Sequence, residues 1–233
     1  MFNIQNNIST YLNDTPLRTT GTSIMYRNFP TPDIIGRKWS GCTIVQKTQA
    51  AQAVDHACIF RTMYNNSRIT LTVRTGGYVN LRVYKAGGSI QRDVQTTAIP
   101  TLNNVFLIGY SWDGTTASLT VYDWTNRALV ESKSQSTNAS GLPSWVEDNG
   151  LYIANRQNQT LPYHGSIYGG CFGMDIGYST KEMEAELSIG NVALGNSFIL
   201  MPKIMGYKGT DTIREPHGLD LTIITSDFKE FWN

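Results

Sequence analysis

The sequence predicts an all-β fold of two packed antiparallel sheets, with an irregular N-terminal arm and one short helix. Residues 104–133 read as a β-meander. Val105, Leu107, Gly109 and Ser111 alternate with Phe106, Ile108, Tyr110 and Trp112, and Asp113-Gly114 supplies a turn. Leu119, Val121 and Asp123 then alternate with Thr120, Tyr122 and Trp124, and a turn at 123–126 leads into a third strand over 127–133. Before the meander, alternating runs are punctuated by Asn65-Asn66, Gly76-Gly77 and Gly87-Gly88. Four or five strands before residue 104 and at least five after it exceed one compact flat sheet. Two sheets, each turning the apolar parity of its strands toward the other, accommodate them.

Residues 1–40 are polar, rich in Asn and Thr, and broken by Pro16, Pro30 and Pro32. They predict an irregular arm or one extra strand around Ile24–Phe29, ahead of a sandwich over 41–233 with a C-terminal extension from about 188. The segment up to Cys42 reads as a loop leading into a strand over Thr43–Lys47, followed by a helical turn or broad loop at Thr48–Asp55. Strands follow at His56–Met63, at Arg68–Arg74, at Tyr78–Tyr84 and at Ile90–Thr97. After the meander come an open loop at Ser136–Asp148 carrying Trp145, a short strand at Gly150–Ala154, and a polar loop ending in Tyr163-His164. The strand Ser166–Ile176 contains Gly169, Gly170 and Gly173, which predicts a bulge or a close backbone approach. Ser179 with Glu182 three residues on is a capping box for a helix reaching Glu186 or Leu187. Leu219–Thr225 reads as a closing strand before an aromatic tail with Phe228, Phe231 and Trp232.

At 233 residues the chain can bury a sizeable core. Only 16% of residues are charged and the net charge is +1, which argues against nucleic-acid binding through bulk electrostatics. Twelve Tyr and five Trp are enough both to fill a core and to line a binding surface. The odd set Cys42, Cys58 and Cys171 lacks metal-ligand spacing and reads as buried thiols, one disulfide being the alternative. No basic segment leads into an apolar run, and no stretch approaches the roughly 18 apolar residues of a membrane helix. The expectation is a protein made in a cytoplasm without a signal peptide and not inserted in a membrane.

Phe106–Gly114, Leu119–Asp123, Leu151–Asn155 and Gly165–Glu184 together resemble the laminin-G-like, concanavalin-A-like lectin and glucanase superfamily. The matching pieces are Ser111-Trp112-Asp113-Gly114, Leu119-Thr120-Val121-Tyr122, Leu151-Tyr152-Ile153-Ala154, Gly165-Ser166-Ile167 and Ser179 to Glu182. The resemblance spans roughly residues 40–187 and implies a two-sheet jelly roll. The chain departs from it where members carry an acidic pair after the Gly-x-Ile; Tyr168-Gly169-Gly170 stands there. Asp113 and Asp123 read as turn formers, and no calcium or other metal is expected.

Retaining glycanases of this fold need two carboxylates on one strand face about 5.5 Å apart. The only Glu-x-Glu grouping, Glu182, Glu184 and Glu186, falls in the expected helix as a solvated face. His56, His164 and His217 are isolated, and the glycine pairs join strands, so no zinc site or phosphate cradle is predicted. The chain is therefore expected to be non-enzymatic and without cofactor. Lectins of this fold present loops whose aromatic rings stack on sugars and whose amides bond hydroxyls. The candidate ligand-binding residues are Trp145, Asn155, Arg156, Asn158, Tyr163 and His164, and Phe228, Phe231 and Trp232 are the candidate interface. Arg68, Arg74, Arg82 and Arg92 recur on polar strand faces and read as a solvated sheet surface.

Low charge, abundant Asn and Thr, Gly-Gly hairpins, the arm and the aromatic tail together resemble bacteriophage virion proteins. That likeness implies a structural or attachment component of a tail, baseplate, fibre or head decoration, associated with other virion subunits or with copies of itself. The alternative is a carbohydrate-binding module for a cell-surface glycan; a glycoside hydrolase is the third reading.

Overall fold

A computed structural model describes residues 8, 17–19, 25–29, 38–48, 57–63, 69–84, 90–98, 100–136, 149–153, 163–174, 176–192, 194, 196–201, 212–213 and 221–223. Fifteen strands and one helix are seen among them. The strands are β1 Leu17–Thr19, β2 Met25–Phe29, β3 Trp39–Lys47, β4 Ala57–Met63, β5 Ile69–Val73, β6 Val79–Tyr84, β7 Ile90–Gln95 and β8 Val105–Trp112. Then follow β9 Thr116–Asp123, β10 Ala128–Ser136, β11 Asn149–Ile153, β12 Gly165–Met174, the helix α1 Thr180–Ser188, β13 Asn196–Met201, β14 Thr212–Ile213 and β15 Leu221–Ile223.

All pairings are antiparallel, in two sheets. The first, of seven strands, runs β1-β12-β3-β8-β9-β10, with β13 also paired to β12; the second, of eight, runs β14-β15-β2-β11-β4-β5-β6-β7. This is the all-β sandwich with one short helix that the alternation predicts. The stretch expected as an arm contributes β1 to the first sheet and β2 to the second, between β15 and β11. β3 begins at Trp39, four residues ahead of the expected start, because Trp39 and Ser40 pair with Trp112 and Ser111 of β8.

The parity of each strand decides where its side chains go. On β8, Phe106, Ile108, Tyr110 and Trp112 are buried on the face turned to the second sheet, in register with Val45, Thr43, Gly41 and Trp39. Trp39 and Tyr110 rings meet tilted, 6.3 Å between centroids. Gly41 is required beneath Tyr110, since a Cβ there would lie 2.5 Å from the ring. The second sheet answers with Ile69, Leu71, Val73, Val79, Leu81, Val83 and Val94, all buried.

The opposite face of the first sheet carries a second core. Cys42, Ile44, Leu107 and Tyr122 pack there against Met183 and Leu187 of α1 and against Ile8, Val192 and Leu194. Gly109 opens the space for α1, since a Cβ would stand 3.1 Å from Leu187 Cδ1 and 3.2 Å from Met183 Sδ. The connection into α1 is held down by the Ser40 and Ser111 hydroxyls, which donate to the carbonyls of Ile176 and Tyr178. The predicted capping box is present: Ser179 Oγ accepts from Glu182 N–H, and Ser179 N–H donates to Glu182 Oε2 at 2.7 Å. That bonding also holds the Glu182 carboxyl below its usual range. The predicted bulge in β12 falls between Ile167 and Gly169, where Gly169 has φ 140°. Cys42 is buried and stands opposite Cys171 in the β3–β12 register.

Candidate functional site

β3 ends, β8 begins, β9 ends, β10 begins and β12 begins at one end of the first sheet, as their registers require: Gln46↔Val105, Phe106↔Asp123, Ala128↔Asp123 and Lys47↔Gly165. Three inter-strand spacings separate β12 from β9, so this rim extends over about 14 Å. Its described residues are rich in amides: Gln46, Asn103, Asn104 and Asn126, with Asp123, Trp124, Thr125, Arg127 and His164.

These groups form a continuous set of hydrogen bonds. Tyr163 Oη donates to the Gln46 carbonyl at 3.0 Å, Gln46 Nε2 donates to the Asn103 carbonyl at 2.7 Å, and Asn103 N–H donates to the Lys47 carbonyl at 2.9 Å. Asp123, only 4% exposed, takes Asn104 Nδ2 at 2.7 Å, Asn126 Nδ2 at 2.9 Å and Asn126 N–H at 3.0 Å. Thr125 Oγ1 accepts from Val105 N–H at 2.9 Å. Among the described residues, the two non-glycines with positive φ are both here, Asn103 at 65° and Arg127 at 55°. Asn tolerates that conformation through its short polar side chain; Arg at such an angle is uncommon and marks a position set by its surroundings.

Trp124 closes the β9–β10 turn. Its N–H donates to the Val105 carbonyl at 2.9 Å, and its ring lies where Gly190 lacks a side chain: a Cβ there would be 2.6 Å from Cη2. The Arg127 guanidinium sits over the indole, 3.2 Å from the ring centroid, while the residue itself is exposed. Lys47 is 4% exposed, and burial lowers its pKa.

Of the ligand residues expected from sequence, Tyr163 and His164 are among the described residues, at the start of β12. Tyr163 is corrected: it is fully buried, its ring packs under Gly165 and its hydroxyl serves the Gln46 carbonyl, so it anchors the rim from below and has no face for a ligand. Burial raises its pKa. His164 is half-buried at the rim, and burial lowers its pKa, which favours the neutral imidazole. Trp145, Asn155, Arg156, Asn158, Phe228, Phe231 and Trp232 lie outside the described residues, as does Arg68. The turn pair Trp124 and Arg127 was not among the residues expected from sequence; its signal there is an Asp-Trp-x-Asn-Arg turn in which ring and guanidinium fall three residues apart.

A second polar region occupies the outer face of the second sheet. Thr70, Thr72 and Asn80 are buried there. Asn80 Nδ2 donates to Asp93 Oδ1, Arg82 pairs with Asp93 Oδ2 at 2.8 Å, and Arg74 donates to Gln95 Oε1 at 3.2 Å. Burial opposes ionisation of Asp93, but its bonds from Arg82 and Asn80 outweigh that and hold the carboxyl below its usual range. This face is an internally satisfied network, and Arg82 is an ion-pair member more than a solvated charge. Arg92 is corrected as well: two residues from Val94, which faces Leu81, it stands opposite Val83, on the apolar parity.

The expected turn formers hold those roles. Asp113 Oδ1 accepts from Thr115 N–H at 2.8 Å and from Thr116 N–H at 2.7 Å, which closes the turn at Gly114. Among the described residues, no three His, Cys, Asp or Glu side chains stand together as metal ligands.

Neither the protein-family models nor the curated proteins match this chain in sequence. Its fold is similar to several solved structures. The native heptameric SAP-like pentraxin from Limulus polyphemus aligns with a TM-score of 0.54 and 13% identity, over 90% of this chain and 94% of that one. The enzymatically active domain of bacteriophage CBA120 tailspike protein 2 aligns with a TM-score of 0.58 and 10% identity over 83% of this chain, which spans only 30% of the tailspike chain. The CBM40 of Ruminococcus gnavus IT-sialidase, bound to α2,3-sialyllactose, aligns with a TM-score of 0.54 and 12% identity, over 74% of this chain and 94% of that one. At such identities the likeness establishes the fold, a two-sheet antiparallel β-sandwich, and nothing finer.

Proposed function

We propose that this chain is a non-catalytic attachment module of a bacteriophage particle that recognises a cell-surface glycan through the rim at 103–104, 123–127 and 164. The observation that carries this reading is the rim itself. Asn103, Asn104, Asp123 and Asn126 are held by one another and by the strand ends, beside an indole fixed in place. Pre-set amides and hydroxyls beside an indole already capped by Arg127 suit sugar hydroxyls, because little ordering remains to be done on binding. Loops on a rigid sheet are also where binding groups are commonly carried.

Among the described residues, Asp93, Asp113 and Glu131 favour binding over acid–base chemistry: each accepts hydrogen bonds from structural partners, and a carboxylate held by several donors is a poor general acid. The fold's likeness to a bacteriophage tailspike and to a carbohydrate-binding module supports placing the chain on a virion, next to other virion subunits or copies of itself.

The test is a panel of bacterial surface polysaccharides and their oligosaccharides presented to the full chain, with reducing ends assayed in parallel. Saturable binding of a subset without new reducing ends is expected. No binding across the panel overturns the reading, and release of reducing ends replaces it with a hydrolase.

A further inference from the structure

We infer that the glycan taken at this rim is acidic, and that its carboxylate is received by Arg127. The inference rests on the proposed glycan-binding role and adds the charge class of the ligand and the residue that selects it. Arg127 is exposed, and its guanidinium carbon lies over the Trp124 ring, 3.2 Å from the centroid, an approach that only a stacked guanidinium can make. A guanidinium with one face on an indole keeps its N–H donors in its own plane, directed away from the ring and toward solvent. Among the described residues, no hydrogen bond or ion pair uses those donors, in contrast to Arg82, which is paired with Asp93 at 2.8 Å.

The acid nearest in sequence does not serve Arg127. Asp123 is 4% exposed and both of its oxygens are occupied by Asn104 and Asn126. The turn thus sets its one carboxylate inward on amides and its one cation outward on a ring. Arg127 adopts φ 55° to reach this position, a backbone conformation that costs energy for a side chain of this size. Trp124 is itself held by the Val105 carbonyl and by the space at Gly190, so the cation is oriented before any ligand arrives.

A carboxylate is planar and offers two oxygens at the spacing of two guanidinium donors. A sugar acid docked in this way would bring its ring hydroxyls over the turn, where Asn126 Oδ1 accepts no hydrogen bond among the described residues. The carboxylate of a uronic or nonulosonic acid fits this arrangement. A sulfate ester shares the charge but not the planarity, and is the competing source of an anion.

The experiment is calorimetric titration of the full chain with three forms of one oligosaccharide: a polyuronate fragment, the same fragment with its carboxyls reduced to alcohols, and a sulfated neutral fragment. The polyuronate is expected to bind about tenfold to a hundredfold more tightly than the reduced form. Arg127→Ala should remove that difference, Arg127→Lys should restore part of it, and thermal unfolding should certify that both variants fold. Equal affinity for acidic and reduced forms, or an Arg127→Ala variant that still prefers the acid, overturns the inference while leaving glycan binding intact. A sulfated fragment bound more tightly than the polyuronate also overturns it. Absence of binding by all three, with neutral glycans likewise unbound, overturns the inference together with the function it rests on.

Discussion

Glu131 joins the two sheets where their edges meet. It lies on β10, and its carboxylate accepts from Thr97 N–H at 2.6 Å, Ala98 N–H at 2.8 Å and Thr97 Oγ1 at 2.9 Å, all just past β7, with Lys133 Nζ at 3.0 Å. Burial works against its charge, but the bonds from Ala98, Lys133 and Thr97 win and draw its pKa down from 4.5 to about 2. A carboxylate with a depressed folded pKa adds stability above its unfolded pKa, and that stability is lost as pH falls through the folded value. Stability is therefore expected to decline between pH 4.5 and about 2. Glu131→Gln should lose about 1–2 kcal/mol near neutral pH and show a shallower acid slope, read by denaturant melts across that range. An acid slope identical to that of the parent would assign the latch no role. Tyr163 teaches the converse lesson at this scale. Its sequence neighbours, Asn, Gln, Thr and Pro, read as an exposed loop, but its burial is decided by Gln46, 117 positions away.

At the scale of elements, the strand-to-helix connection is a tight joint. Gly177 passes so close to the β8–β9 turn that a Cβ would stand 2.6 Å from Asp113 Cα and 2.7 Å from the Trp112 carbonyl oxygen. Backbone cannot yield as a flexible side chain can, so Gly177→Ala is expected to cost about 2–3 kcal/mol. Ser179→Ala, which removes only the helix cap, should cost about 1 kcal/mol. Equilibrium unfolding of the pair checks the ranking, and a Gly177→Ala variant less damaged than Ser179→Ala would refute it. Elements of this kind differ in how far they can be read from the chain. β8, β9 and α1 were legible because alternation, Asp113-Gly114 and the Ser179–Glu182 box are local signals. The start of β3 was not, since Trp39-Ser40-Gly41 has no clear alternation and is a strand only because β8 and β12 pair with it. β10 combines a register shift at Leu129–Glu131 with inward Glu131 and Lys133, devices that discourage an edge strand from pairing with another chain.

For the whole molecule, the two sheets form a scaffold, and the rim proposed for recognition lies where several strand ends coincide. Two of the residues singled out from sequence, Tyr163 and His164, fall at this end of the sheet, and the sequence did not show that Tyr163 is buried. The Trp124–Arg127 contact has no periodic signature, because it arises across a turn whose shape depends on Asp123, Asn104 and Gly190. The other polar surface, Thr72, Asn80, Arg82 and Asp93, is satisfied within itself, which makes it the natural control. The most direct measurement is a backbone amide chemical-shift titration of the full chain with a bound glycan. Shifts clustered at Asn103, Asn104, Asp123 to Arg127 and His164 are the predicted result. Shifts centred on Thr70, Asn80, Arg82 and Asp93 instead, with the rim unmoved, would contradict the assignment of the rim as the glycan site.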